Sequence, residues 1–191
     1  MAGVVVSAVQ PSEPRRVAVV VIDMLNPYDH EDADALADAV SHVVDPLAGL
    51  IAAARERDDV ELIWVNDNYE DFAATRDDLV RQALDGRHPE LVEPVVPPDD
   101  CAFLQKVRHS AFYGTALDHH LRRSGASRLV LTGQVTEQCV LYSALDAYVR
   151  HYELTVARDA VAHIDPELGT AALRMMERNM RADVVPARDA L

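Results

Sequence analysis

Two hydrophobic rhythms alternate along the chain. Six short runs are apolar almost without a break: "RVAVVVID" (16–23), "VELIWVND" (60–67), "CAFLQK" (101–106), "RLVLTG" (128–133), "YELTVARD" (152–159) and "ADVVPA" (182–187). The first is nearly all β-branched, which suits a strand buried on both faces of a parallel sheet, and the other five read as further strands. Between them, apolar residues recur at helical spacing over about 32–57, 76–84, 115–124, 137–150 and 166–180. Asp45-Pro46 has the chemistry to restart the first helix as N-cap and first residue, and Asp165-Pro166 to start the last.

Strands and helices in this alternation predict an α/β fold: a single-domain, doubly wound, six-stranded parallel sheet flanked by helices, joined by right-handed crossovers. The core spans about 16–187, with 1–15 as an N-terminal extension. No repeat or linker divides it, and "EPVVPPDD" (93–100) reads as a surface loop leading into the third strand.

At 191 residues and 49% hydrophobic, the chain is long enough to bury one good core. Its formal charge is −14, with 18 basic against 32 acidic residues spread along its length. That balance repels phosphate backbones and anionic lipid, so neither nucleic acid nor a membrane surface is an expected partner. The opening "MAGVVVSAVQPSEPRR" has no basic region before its short apolar run, so no signal peptide or membrane span is expected there and the location is expected to be cytoplasmic. Two cysteines, Cys101 and Cys139, are too few for a disulfide framework and form no CxxC pattern, so both are expected to be reduced thiols.

In doubly wound sheets, ligands bind at the carboxyl ends of the strands, near the point where strand order reverses. The first strand ends in Asp23, the second in Asn66-Asp67-Asn68 and the third in Lys106, while the fourth turns into the helix that carries Cys139. Each residue has a bland role open to it: Asp23 as a turn former, Lys106 as a solvated edge lysine, Cys139 as a small buried hydrophobe. Their shared rim favours chemistry. With Thr136 as N-cap, Cys139 falls in the first helical turn, where unpaired N–H groups and the helix dipole favour a thiolate, and an adjacent ammonium would lower its pKa further. A carboxylate within reach would take the thiol proton and return it to a leaving group. Backbone N–H groups of Val135 and Cys139 would face the oxyanion, provided that the Thr136 hydroxyl does not cap the Cys139 amide.

Three segments, "VIDMLNPY" (21–28), "KVRHSAFYGT" (106–115) and "LTGQVTEQCVLYSALDAY" (131–148), together resemble the isochorismatase-like cysteine hydrolases. The likeness runs from about residue 16 to 187. It implies a dimer or tetramer, a small-molecule substrate and an Asp-Lys-Cys triad that hydrolyses C–N bonds of amides, lactams or ureides through a thioester, with Asp23, Lys106 and Cys139 in the three positions. It also implies a non-proline cis peptide at Gln134-Val135. Asn68, Tyr69, Phe112 and Tyr142 are candidates to line the pocket, although aromatic residues near helix starts more often serve the core.

The departures are informative. Nicotinamidases of this superfamily carry a metal-binding Asp-x-His after the second strand, where this chain has Asp67-Asn68-Tyr69. His88 is the nearest histidine downstream, and one histidine makes no site, so no metal and no other cofactor is expected. His119 and His120 point about 100° apart on a helix and are poor joint ligands. Arg108 and His109 read as solvated turn residues, and Gly114-Thr115 as a turn that caps the next helix. Three alternatives stay open: acid-catalysed vinyl-ether cleavage of the isochorismatase type, a non-catalytic relative that binds a metabolite or partner, and phosphoryl transfer on Asp23. The last lacks a second acidic residue two positions on.

Overall fold

The structure, a computed structural model, describes residues 16–191; the expected N-terminal extension lies outside the described residues. Its strands are β1 (Arg16–Ile22), β2 (Val60–Asp67), β3 (Ala102–Lys106), β4 (Ala126–Gln134), β5 (Glu153–Ala162) and β6 (Asp183–Val185). All are parallel, in the order β3-β2-β1-β4-β5-β6. The expected single-domain, six-stranded doubly wound sheet is therefore what the chain forms. Strand order reverses between β1 and β4, which places a crevice beyond their carboxyl ends.

The near-continuous apolar run of β1 is explained by the two faces that it serves. Val17, Val19 and Val21 pack into the layer of α1 (Ala33–Arg55), α2 (Arg76–Leu84) and α3 (Pro89–Val92). Ala18, Val20 and Ile22 pack into the opposite layer, with α4 (Leu117–Ser124), α5 (Leu141–Val149) and α6 (Pro166–Met180). Full burial of each valine stabilises the fold by about 1.5–3 kcal/mol.

Three differences from the expected elements bear on the α1 side of the sheet. Helix α1 runs unbroken through Pro46 instead of restarting there, because its buried stripe, Val40, Val43, Val44, Leu47 and Leu50, continues on both sides of the proline. By length and composition α1 could cross a membrane, but that stripe lies in the core and the other face carries Asp34 and Asp38, the pattern of a core helix. The supposed loop at 93–100 begins with a 3-10 turn, Glu93–Val95, pinned where Trp64 Nε1 donates to the Val95 carbonyl at 3.1 Å. Helix α3 just before it had not been expected. By contrast, Asp165 does cap α6, its carboxylate accepting from the Glu167 and Leu168 amides at 2.8 and 3.0 Å.

One glycine is required where the two central strands meet the crevice. Gly133 has φ +101°, and a Cβ there would stand 2.0 Å from the Ile22 carbonyl oxygen. Only glycine lets β4 approach β1 so closely.

Candidate active site

The crevice is built from strand ends. Asp23 follows β1 in the left-handed region, φ 54°, and its backbone is held on both sides: its amide donates to Val65 O at 3.0 Å, and Gln134 Nε2 donates to its carbonyl at 2.5 Å. The next turn is fixed by Asn66, whose Oδ1 accepts from the Leu25 amide at 2.9 Å while its Nδ2 donates to the Leu25 carbonyl at 3.1 Å. These bonds aim the Asp23 side chain across the crevice.

Lys106, at the end of β3, is only 1% exposed. Its ammonium lies 2.9 Å from Asp23 Oδ2, 3.1 Å from Asp67 Oδ2 and 3.6 Å from Cys139 Sγ. The Asp67 amide donates to the other Asp23 oxygen at 2.7 Å. The three residues expected at one rim are thus in mutual contact, and Asp67 joins them as a fourth.

Cys139 sits in a turn different from the expected one. Gln134-Val135 is cis, at the bond that the resemblance singled out. Thr136–Val140 then form one π-helical turn before α5, with Val135 in the cap position. Thr136 is buried and makes no capping bond, so the feared competition for the Cys139 amide does not arise. The Val135 carbonyl takes the Gln138 and Val140 amides instead, both at 3.1 Å. Glu137 ties the turn to the start of α6, accepting from the Ile164 and Asp165 amides at 2.9 Å.

The segment after β3 braces the turn from the other side. Ser143 Oγ, fully buried on α5, donates to the Cys139 carbonyl at 2.6 Å and accepts from the Ala111 amide at 2.9 Å. Ser110 Oγ donates to Asp146 at 2.6 Å. Gly114-Thr115 turns the chain as expected, with Thr115 Oγ1 accepting from the Leu117 amide at 3.2 Å. His109 does not simply face solvent, since its Nδ1 lies 3.9 Å from Cys139 Sγ and its ring 5.4 Å from that of Tyr142.

Burial dominates the electrostatics. It is the largest influence on Asp23 and raises its carboxyl above the ordinary value, against the Lys106 charge and the hydrogen bonds that oppose it. Burial, then the Asp23 charge, likewise push the Cys139 thiol up; Lys106 and a backbone hydrogen bond from Val135 pull the other way and lose. For Lys106, burial opposes the charge, but Asp23, Cys139 and Asp67 outweigh it and raise its pKa. The upward direction for the thiol is opposite to the lowering expected from the first helical turn and from Lys106, because Cys139 is only 8% exposed and Asp23 stands beside it.

A cavity of about 410 Å³ opens onto this cluster. Asp23, Lys106, Val135 and Cys139 line it, together with Asn26, His30, Tyr69, Gln138 and Ile164. Of the four expected pocket residues, only Tyr69 is in its wall, held by its hydroxyl donating to the Leu25 carbonyl at 2.8 Å. Asn68 is buried, its amide donating to the Lys106 carbonyl and its Oδ1 accepting from the Glu70 amide. Phe112 belongs to the core, packed near Tyr152 and under Arg150. Tyr142 stands beside His109 and is not part of the cavity wall. At the place of an Asp-x-His metal site, Asp67 is committed to Lys106 and His88 pairs with Glu90 at 3.0 Å. Among the described residues, no three histidine, cysteine or acidic side chains gather in a way that would hold a metal ion.

A family model described as "Isochorismatase domain" matches residues 17–189. The chain belongs to the isochorismatase family. The uncharacterized isochorismatase family protein YaaI of Bacillus subtilis is 30% identical over 167 residues, covering 87% of this chain and 92% of that protein. Ureidoacrylate amidohydrolase RutB of Klebsiella pneumoniae is 27% identical over 186 residues, covering 83% and 78%. Among solved structures, N-carbamoylsarcosine amidase from Thermoplasma acidophilum aligns with TM-score 0.71 at 30% identity, covering 91% of this chain and 98% of that one. Isochorismatase-family relatives thus include hydrolases of amides and ureides.

Proposed function

We propose that this isochorismatase-family member is a cysteine hydrolase that cleaves the C–N bond of a small amide, lactam or ureide, with Asp23, Lys106 and Cys139 as its catalytic residues. The observation that carries this reading is the buried Lys106 ammonium held between Asp23, at 2.9 Å, and the Cys139 sulfur, at 3.6 Å. An isolated buried ammonium is costly, and one placed between a carboxylate and a thiol serves to hold both through a change of charge. Similarity to a ureidoacrylate amidohydrolase and an N-carbamoylsarcosine amidase supports the bond type.

In the first step the Cys139 sulfur attacks the carbonyl carbon as Asp23 accepts the thiol proton. The raised pKa of Asp23 makes it a stronger proton acceptor than an ordinary carboxylate. The carbonyl oxygen takes up the electron pair, and the amides of Val135 and Cys139 are the donors assigned to it. When the C–N bond breaks, Asp23 gives the proton to the departing nitrogen and a thioester remains on Cys139. Water then adds to the thioester with Asp23 as base, the C–S bond breaks, and the proton returns to sulfur. Throughout, Lys106 compensates whichever of Asp23 and Cys139 carries the negative charge.

The deciding experiment is a panel of small amides, ureides, lactams and isochorismate, followed by mass spectrometry with wild type and Cys139→Ala in parallel. C–N cleavage that depends on Cys139, with an acyl adduct trapped on its peptide by acid quench, is the expected result. Turnover of isochorismate alone, undiminished in Cys139→Ala, would replace this reading with acid-catalysed vinyl-ether cleavage.

A further inference from the structure

We infer that the cavity selects substrates whose non-reacting end is positively charged, and rejects those with a carboxylate there. This deepens the hydrolase reading above and rests on it. Among the described residues, four carboxylates, those of Asp23, Asp29, Asp32 and Asp67, line the cavity against a single lysine or arginine, Lys106. The two inner ones are spent on Lys106. The outer pair, Asp29 and Asp32, stand at the exposed mouth and form no ion pair among the described residues.

Asp32 is free of the role that its position suggests. It precedes the first turn of α1, yet its side chain makes no capping hydrogen bond, so its charge faces the mouth uncommitted. Arg87, which reaches the adjacent Tyr28 carbonyl, is taken up by Asp34 at 2.6 Å. His30, also in the wall, lies 3.5 Å from Asn26 Nδ2. A substrate entering over Asp29 and Asp32 therefore meets a negative mouth before a reaction centre whose one ammonium is already matched twice. A chain with net charge −14 adds a long-range field of the same sign. An ammonium or guanidinium group on the trailing end is drawn to Asp29 and Asp32 while the scissile carbonyl sits at Cys139. A carboxylate in that place finds, among the described residues, no wall lysine or arginine that is not already paired.

The test needs no known substrate. Cys139 is modified with trimethylammonioethyl and sulfonatoethyl methanethiosulfonate, and each rate is divided by that of a small free thiol. At about 10 mM ionic strength the normalised cation-to-anion ratio is expected to be about tenfold or more, and to collapse in about 1 M salt. Asp29→Asn/Asp32→Asn should lower it at least about threefold, and Asp29→Lys should lower it further. A normalised ratio near one in wild type, or one that the paired substitution leaves unchanged, overturns the inference. Turnover of γ-aminobutyramide, γ-hydroxybutyramide and succinamate is followed separately, with the first expected fastest. A flat ratio with Cys139-dependent turnover sinks charge selection alone, whereas a high ratio without C–N cleavage of any amide keeps the charge selection and sinks the hydrolase reading.

Discussion

Asp67 and Lys106 stand opposite each other in the β2-β3 register, and the ammonium reaches Asp67 Oδ2 at 3.1 Å. Lys106 is therefore shared by two carboxylates, so part of its charge is spent away from Asp23 and Cys139. Replacing Asp67→Asn removes one of the charges that raise the Lys106 pKa and leaves more of the ammonium's field on the sulfur. The Cys139 thiol should then ionise at lower pH. Iodoacetamide labelling followed against pH is the check, and a profile that stays put or moves upward refutes this account.

The proposed triad should act as a unit. Cys139→Ala, Asp23→Asn and Lys106→Ala should each reduce turnover by about 10³-fold or more, with double changes little worse than single ones. The lysine differs in one respect. Its removal leaves Asp23 and Asp67 facing each other without a counter-charge, and breaking a buried ion pair in this way costs about 3–5 kcal/mol. Thermal melts should show Lys106→Ala well below the other two, while Cys139→Ala stays near wild type.

How much of this was legible before the fold was known depends on whether local pattern or register decides. Asp23, Lys106 and Cys139 could be found because each ends or follows an apolar run, and in a doubly wound sheet such ends converge whatever the register. The link between Asp67 and Lys106 could not, because it depends on the pairing of Ile63 with Ala102 along β2 and β3, which no local pattern encodes. The π turn at Thr136–Val140 was hidden for a related reason: its residues have helical spacing, and the bonds that tie Glu137 to the start of α6 come from residues far along the chain. Phe112 was drawn to the pocket by its place in "KVRHSAFYGT", but Tyr152 and Arg150, which pack against it in the core, lie far along the chain.

Ser143 links two parts of the site that share no sequence neighbour. Its hydroxyl bonds both the Cys139 carbonyl and the Ala111 amide, and it is fully buried. Ser143→Ala strands one donor and one acceptor, at a cost of about 1–3 kcal/mol. In a chain of this size each kcal/mol lowers the melting temperature by roughly 2–4 °C. Turnover should fall together with stability, because the turn carrying Cys139 loses its brace, whereas Ser143→Thr, which retains the hydroxyl, should recover part of both. Wild-type kinetics and melting in Ser143→Ala would show that the link is incidental.

The pH response should separate Asp23's effect on stability from its effect on chemistry, because the two run in opposite directions. Burial raises the Asp23 carboxyl above its ordinary value of 3.8, so the fold favours the neutral form. A raised folded-state pKa adds stability that is whole below the unfolded value and is lost as pH rises through the folded one. Urea melts at a series of pH values should therefore show the wild-type advantage over Asp23→Asn shrinking as pH rises from about 3.8. Lys106 titrates above its ordinary 10.5 and does not intrude in that window. The proposed mechanism needs the ionised carboxylate, so kcat/KM should rise with pH as the folded-state carboxyl ionises, with its acidic limb above the ordinary carboxylate range. The two curves should run in opposite senses: the stability difference declines between the unfolded and the folded value, whereas kcat/KM rises with its midpoint at the folded one. An acidic limb at or below 3.8, or a stability difference that grows with pH, would mean that Asp23 is not the buried, raised carboxyl described here.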